Sequence, residues 1–401
     1  ILPDVYADDV NNHLDELKML AQTANVETLG EITQRVQKIN PAFYIGKGKA
    51  QQVIDQAKLL GANVIIFDDE LSPAQIKNYH KLAKKIKVID RSSLILDIFK
   101  KHAKTREAKT QVELALCQYL LPRLTKQWTH LERQMGGVGT RAGMGETQIE
   151  VDRRLIRDKI SKLKLDLTKI ESERKTQIQN RVNEFRVALV GYTNAGKSTL
   201  FNSLTGNNVY VKNQLFATLD TTVRKLKLNK KHQVLISDTV GFIRKLPHNL
   251  VASFNSTLKE LLEANHILIV LDASSKIIDE HLETISQVLN ELGANKIPKS
   301  YIFNKIDLVE DENDIKKLKS NYRNAILTSA LHHLRLDDVK NHLIEKIESD
   351  FNVFDLNISY EQGKILSQIQ NQAEILDTEY GDKAIKLKIR GKEDSIKRLF
   401  K

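Results

Sequence analysis

Apolar and polar positions divide the chain of 401 residues into four stretches of different periodicity. Residues 1–105 alternate helical patterns with short apolar runs, "NVIIFDD" at 63–69 and "KVID" at 87–90, each followed by a helix. That order predicts a small parallel sheet. The helix that begins at 73 is well punctuated, because Ser72 can cap it, Pro73 suits its first position and Gln75 can complete a capping box.

From 106 to 182 strand signals vanish, and two long helical patterns flank a glycine-rich segment, "MGGVGTRAGMGETQ" at 135–148. In the second pattern Ile149, Ile156, Ile160, Leu163, Leu167, Ile170 and Ile178 recur at steps of three, four or their sums, which keeps one helix face apolar. The first carries Val112, Leu116, Tyr119, Leu120 and Leu124, with Pro122 expected to kink it because proline has no N–H for the i−4 carbonyl. Two such stripes joined by a flexible segment bury each other best as a long antiparallel helical hairpin with the glycines at its tip.

From 183 to 349 the runs "RVALVG", "HQVLISDT", "HILIVLDA", "SYIFNKID" and "AILTSA" each begin apolar and end polar. Repeated strand, loop and helix predict an α/β domain with a doubly wound sheet and ligands at the carboxyl ends of its strands. Residues 350–401 read as a small C-terminal α/β domain, with strand-like "VFDLNIS" and "KAIKLKI" around the helical "EQGKILSQIQNQAEIL".

Length and composition fit this four-part division, since 401 residues exceed one ordinary core and a chain 41% hydrophobic and 28% charged is globular. Lys and Arg total 62 against 51 Asp and Glu, a formal net charge of +11 that suits a polyanionic partner, nucleic acid first, and equally a basic surface that binds nothing. The single cysteine, Cys117, excludes an intrachain disulfide, fits a cytoplasmic setting and, within "VELALCQYLL", suits packing better than chemistry. Apolar runs such as "ILIVLDA" at 267–273 fall far short of the roughly 20 residues that cross a bilayer. No signal-peptide pattern is visible.

Charge leaves the chemistry open, and the motifs narrow it. "GYTNAGKS" at 191–198 follows an apolar strand and precedes a helix, the setting a phosphate loop requires. Gly191 and Gly196 let the backbone turn its N–H groups toward phosphate oxygens, Lys197 reaches the β and γ phosphates, and Ser198 offers a hydroxyl to Mg²⁺. "ISDTVGF" places Asp238 where it can hold Mg²⁺, usually through water, and the Gly241 N–H where it can meet a γ phosphate. In "NKID", Asp307 can accept hydrogen bonds from N1 and N2 of guanine while Asn304 and Lys305 brace the loops and cover the base; in "TSA", Ser329 and Ala330 approach the guanine O6 side. Four elements in this order, each ending a strand, point to GTP.

Between the first two elements lies "LFATLDTT" at 215–222, where Thr218 can bind Mg²⁺ and sense the γ phosphate, with Thr221 and Thr222 as rivals on spacing. Many switch GTPases place a water-orienting glutamine after the D-x-x-G element, where this chain has Phe242. Slow basal hydrolysis is therefore expected, with acceleration when a partner rearranges the site or supplies a group. Asn194 is a candidate for holding a K⁺ ion that substitutes for an arginine finger. The eleven histidines form no H-E-x-x-H or Cys/His ligand set, and no G-x-S-x-G elbow is present. "YIGKGK" at 44–49, with Lys47 and Lys49, reads more readily as a solvated basic loop than as a second phosphate turn.

"GGVGTRAGMGETQIEVDRR" upstream of "GYTNAGKS", "LFATLD", "DTVGF" and "NKID" resembles the HflX family of translational GTPases, related to the Obg group. The resemblance runs from "YIGKGK" to "TSA" and thins in the last fifty residues. It implies Mg²⁺-dependent GTP hydrolysis, binding to the large ribosomal subunit, and splitting or rescue of stalled ribosomes under stress. It carries nucleotide contacts onto Gly191, Tyr192, Thr193, Asn194, Ala195, Gly196, Lys197 and Ser198, onto Phe216, Ala217, Thr218, Leu219 and Asp220, and onto Asp238, Thr239, Val240 and Gly241. It carries base contacts onto Asn304, Lys305, Ile306, Asp307, Ser329, Ala330 and Leu331, and Mg²⁺ onto Ser198 and Thr218. The match selects Thr218 among the three threonines, although "LDTT" stands where "LDPT" is expected. It also implies ATP use near "YIGKGK".

The resulting expectation is a ribosome-stimulated GTPase whose hairpin probes RNA. The second helix carries nine Lys or Arg against five Asp or Glu over 152–175, and Arg133, Arg141, Arg153 and Arg154 are the candidate RNA contacts. Two rivals stand beside it: a signalling switch that binds proteins through its helices, and an RNA-remodelling ATPase working through the N-terminal domain. For the glycine-rich segment, a passive linker is the alternative to a probing tip.

Overall fold

The computed structural model describes residues 7–124, 148–179, 184–206, 215–216, 218–246, 259–349, 351–381, 384–392, 396 and 399. Helices α1 (Ala7–Thr23) and α2 (Lys47–Leu59) precede β1 (Val64–Phe67), α3 (Pro73–Ala83), β2 (Lys87–Asp90) and α4 (Arg91–His102). The strands β1 and β2 pair in parallel, Val64 opposite Lys87 through Phe67 opposite Asp90. The capping box forms as the sequence implies: the Gln75 N–H donates to Ser72 Oγ at 3.3 Å, and the Ser72 N–H donates to Gln75 Oε1 at 2.8 Å. At the end of β2 the buried Asp90 accepts the Ser93 N–H, which caps α4, and the Tyr119 hydroxyl, which ties down the next helix.

That next helix, α5 (Arg106–Leu120), packs on the long α6 (Gln148–Gln179) through Leu114 and Cys117, joined by Leu124 beyond its end, against Ile156 and Leu163, whereas Val112 and Tyr119 of the expected stripe turn to a different core. Ile160 and Leu167 flank the seam, so the centre of the sequence stripe is the buried face. Cys117 has the packing role read from its setting, and burial pushes its thiol up. Pro122 ends the first helix rather than kinking it. A 3-10 turn, Leu121–Arg123, follows Leu120, because the proline cannot supply the next helical N–H. The glycine-rich segment, with Arg133 and Arg141, lies outside the described residues.

A six-stranded sheet follows, formed by β3 (Phe185–Gly191), β4 (Thr222–Lys227), β5 (Gln233–Asp238), β6 (His266–Asp272), β7 (Lys299–Asn304) and β8 (Ile326–Leu327) in the order β4-β5-β3-β6-β7-β8. All neighbours run parallel except β4 against β5. Helices α7 (Lys197–Thr205), α8 (Lys259–Leu262), α9 (Ile278–Glu291), α10 (Glu312–Asn321) and α11 (Leu336–Ser349) are interleaved. Strand residues alternate between two cores: Val187, Leu189, Leu268 and Val270 face Leu200 and Leu343, while Ala188, Val190, Ile267 and Ile269 face the other way. Burial on both faces is why these strands read as unbroken apolar runs. The second of the two cores extends into the N-terminal elements, taking in Leu94, Ile98 and Phe99 of α4 and Val112 and Tyr119 of α5.

Two strands depart from expectation. The strand β4 is the exposed edge, and its sequence "TVRKLK" lacks an apolar run because only Leu226 is buried. In the C-terminal unit, β9 (Phe351–Ser359) and α12 (Gly363–Gln372) are followed by β10 (Glu374–Tyr380) and β11 (Ala384–Lys392), in the sheet order β10-β11-β9. The sequence pattern predicts a helix that continues through "AEIL". Ala373 instead turns extended, and Ile375 pairs with Ile389.

Replacing Ser72 with alanine removes the side-chain acceptor at the start of α3. The substitution is expected to lower stability by about 1 kcal/mol, read as an earlier urea transition of the signal that reports the N-terminal elements.

Candidate nucleotide site

The carboxyl ends of β3, β5, β7 and β8 converge on the loop between Gly191 and Lys197. A Cβ on Gly191 would lie 2.2 Å from the Val270 carbonyl oxygen, so the adjacent strand excludes any side chain there. Gly196, at φ 87°, is left-handed and caps α7 without a side chain, and a Cβ on it would meet Asn304 Nδ2 at 2.2 Å. The loop is further held from β5: the Thr193 N–H donates to the Phe242 carbonyl at 2.7 Å, and the Phe242 N–H donates to the Gly191 carbonyl at 3.0 Å. Lys197 is buried and donates from Nζ to the Gly191 and Tyr192 carbonyls at 3.1 and 2.8 Å. Burial lowers its ammonium to about 8, against the pull of the Asp238 carboxylate.

At the N-terminus of α7 three oxygen-bearing side chains meet. Ser198 Oγ donates to Asp238 Oδ2 at 2.6 Å and lies 2.7 Å from Thr218 Oγ1. Asp238 is fully buried, and burial raises its carboxyl above the usual carboxylate range against the Ser198 hydrogen bond and the Lys197 charge. Its Oδ1 is buried and has no hydrogen-bond partner among the described residues. A buried carboxylate oxygen left unpaired beside two hydroxyls is costly unless a ligand completes it. The donor set, all hard oxygens, fits Mg²⁺ with water and phosphate oxygens in its remaining positions.

The opposite side of the loop is braced by Asn304, which donates from Nδ2 to the Ala195 carbonyl at 3.0 Å and accepts the Ala330 N–H at 2.9 Å. Lys305, left-handed at φ 62°, reaches Asp272 at 2.7 Å, and its stem passes over Gly196. Asp307 lies at the rim with His332 Nε2 3.6 Å from its Oδ2, and the Ile306 N–H donates to the Thr328 carbonyl. Ser329 and Ala330 are buried, whereas Leu331 is 69% exposed and turned to solvent. Thr239 donates to the Leu189 carbonyl, and Val240 is buried in the core beneath. Gly241 sits where a Cβ would be 3.0 Å from Lys197 Nζ.

Three family models match successive stretches: residues 11–100 to "GTP-binding GTPase N-terminal", 102–181 to "GTP-binding GTPase Middle Region" and 186–305 to "50S ribosome-binding GTPase". The GTPase HflX of Escherichia coli is 41% identical over 382 residues, covering 94% of this chain and 89% of that relative. The chain belongs to the HflX GTPase family. It is a P-loop GTPase, and its reaction is hydrolysis of GTP to GDP and phosphate. The GTPase HflX of Flavobacterium psychrophilum is 49% identical over 298 residues, covering 74% of this chain and 71% of the relative. A GTP-binding protein of Sulfolobus solfataricus solved with GDP is 25% identical, covers 84% of this chain and 95% of its own, and has a TM-score of 0.44.

In this HflX-family chain the local motifs leave out what holds the site from the N-terminal side. Phe216, left-handed at φ 56°, packs edge-to-face on Phe99 of α4 with centroids 4.5 Å apart. The Leu215 N–H meets Thr23 Oγ1, and Leu219 is buried in the same core. The Asp220 carboxylate accepts the Thr105 hydroxyl and the Lys104 N–H at the start of α5, so it is turned to the helix rather than to the phosphate loop. Ala217 lies outside the described residues. Tyr192 donates to Glu16 and stacks on His281, with centroids 3.9 Å apart. Beyond Phe242, Arg244 bonds Glu16 and Asp68 at 3.0 and 3.1 Å, Lys245 pairs with Asp68 and Asp69, and the buried Arg91 joins Glu16 to Asp68 at 2.6 and 2.8 Å. Burial opposes charge on Asp68, but the Arg91, Lys245 and Arg244 cations hold its carboxyl well below the usual carboxylate range. The adjacent cations of "FIRK" are the only local trace of this network.

Among the other sequence candidates, Arg153 and Arg154 are exposed on α6. In "YIGKGK", Gly46 at φ 85° precedes α2, which opens with Lys47 and Lys49. Among the described residues no cluster of three or more His, Cys, Asp or Glu side chains is arranged to hold a metal, and no helix is long and apolar enough to cross a membrane.

The Phe242 ring is 1% exposed in the core, so the position after Gly241 presents no polar side chain to orient water. Substituting Phe242→Gln is expected to destabilise the protein by about 3 kcal/mol and to leave basal GTP turnover no faster. Urea unfolding and a phosphate-release assay check the two parts.

Proposed function

We propose that this GTPase binds the large ribosomal subunit, hydrolyses GTP faster there, and acts in splitting or rescuing stalled ribosomes under stress. The observation that carries the reading is the burial of Phe242 beside the loop, which leaves the D-x-x-G element without a side chain to orient water. A GTPase built this way depends on an outside group or rearrangement for rate, and the family description names a 50S ribosome as the bound particle. An exposed basic helix, α6, and a net charge of +11 supply cations for ribosomal RNA. The four-part division at about residues 105, 182 and 349 belongs to the same reading, with the hairpin as the RNA-probing part and Arg133, Arg141, Arg153 and Arg154 as its contacts.

In the site, Gly191 to Ser198 would wrap the phosphates, with Lys197 exchanging loop carbonyls for β and γ oxygens. Ser198, Thr218 and Asp238 would hold Mg²⁺, which neutralises charge on the β and γ phosphates when bound. Asp307 would select guanine by accepting from N1 and N2, with Asn304 and Ala330 fixing the distance between base and phosphate loops. Asn194, left-handed at φ 60° and half-buried, would offer its amide oxygen to K⁺.

GTP turnover measured with and without purified large ribosomal subunits tests the reading. Stimulation of at least about tenfold, the effect of some 1.4 kcal/mol on the barrier, is expected, and no stimulation would overturn it. Arg141→Ala should weaken the stimulated rate and spare the basal one; equal loss of both argues against a remote RNA-probing tip. Exchange of K⁺ for Na⁺ is expected to slow turnover, and identical rates in both salts, free and subunit-bound, remove the Asn194 assignment.

A further inference from the structure

The edge strand β4 and the turn that follows it hold the densest positive charge on the six-stranded sheet. Arg224, Lys225, Lys227, Lys230 and Lys231 fall within eight residues and are all exposed. No Asp or Glu occurs between Asp220 and Asp238. The turn is ordered: the Leu228 N–H donates to the His232 carbonyl at 3.0 Å, and Asn229 Oδ1 accepts the Lys231 and His232 N–H groups at 2.8 and 2.7 Å. Lys225 pairs with Glu184, whereas among the described residues no carboxylate lies within ion-pair distance of Arg224, Lys227 or Lys230.

A second cationic segment meets this one at Asp220. Lys100, Lys104, Arg106 and Lys109 are exposed around the α4–α5 junction, where Glu107 is the sole acid between Asp97 and Glu113. Asp220 does not break the patch, because its carboxylate is taken up by the Thr105 hydroxyl and the backbone N–H groups of Lys104 and Thr105. The strand β4 starts two residues later, so the two segments flank one point of the surface. Lysines on an edge strand also guard it against pairing with another chain. That role does not extend to the turn, which has no open edge, nor to the α4–α5 junction.

We propose that the β4–β5 hairpin and the start of α5 form a phosphate-binding surface for the backbone of duplex RNA, separate from the contacts assigned to α6 and the glycine-rich segment. The inference deepens the ribosome-binding reading and rests on it for the source of the RNA. Exposed cations spaced along a strand and a fixed turn match a line of phosphates, and a duplex presents that line without exposing base edges that these side chains would need to read. RNA held there grips the strand that continues from Thr218 with only three residues between, next to the hydroxyl facing Ser198.

The test compares the full chain with the double variant Lys227→Glu, Lys230→Glu, and with Lys316→Glu, Lys319→Glu on α10, which changes the net charge equally at another exposed place. Binding is measured by salt titration against a 20-base-pair RNA duplex and against purified large subunits, with GDP affinity as the check on folding. The hairpin variant is expected to bind both at least tenfold more weakly at 0.1 M salt and to lose about two units of the slope of log affinity against log salt, with GDP affinity unchanged. Equal weakening by the α10 pair, or no weakening by the hairpin pair, overturns the proposal. Failure of large subunits to bind or stimulate the unaltered protein would instead remove the ribosome reading, and hairpin-dependent binding of the RNA duplex would then still uphold the surface.

Discussion

The site is organised around one buried carboxylate. Asp238 is fully enclosed at the end of β5, with one oxygen held by Ser198 and the other without a partner among the described residues. Such a group is stable only in a fixed cage, and each wall of the cage is a separate piece of chain: the phosphate loop, the segment around Thr218, and the turn through Phe242. The geometry that makes Asp238 costly in the protein alone is the geometry that suits a divalent cation beside phosphate.

Holding those walls requires more than the six-stranded sheet. Thr218 has hydrophobic anchors on both sides, Phe216 on Phe99 and Leu219 in the shared core, and Asp220 is fastened to the start of α5. The turn after Phe242 is fastened by Arg244 and Lys245 to Glu16, Asp68 and Asp69, with the buried Arg91 completing the charge balance. Buried charges of this kind tolerate little displacement, since removing one partner leaves the others unpaired in a low dielectric. The N-terminal elements are therefore part of the nucleotide site's scaffold.

Much of this was readable in advance wherever the cause is local. Ser72, Pro73 and Gln75 specify a helix start within four residues, and the capping box forms as read. The apolar runs ending in Gly191, Asp238 and Asn304 identified the central strands, because burial on both faces leaves a continuous signal. The pattern failed where only one side chain is buried, as in β4 with Leu226, and where helix and strand periods overlap in a short run, as at "AEIL" before β10. Pro122 was legible as a disruption, but whether it bent or ended the helix depended on the chain beyond it.

By itself the sequence determined the phosphate loop, the order of the motifs at the strand ends and the apolar stripe of α6, all of them consequences of backbone geometry over a few residues. Only the tertiary structure decided that Tyr192 meets Glu16, that Asp220 faces Thr105, that Arg244 joins Asp68, and that the Phe242 ring turns inward. Those partners stand 115 to 176 residues apart in the chain. No local propensity encodes a pairing at that distance. It arises when two cores merge and each buried charge must find the opposite charge that the fold has brought beside it.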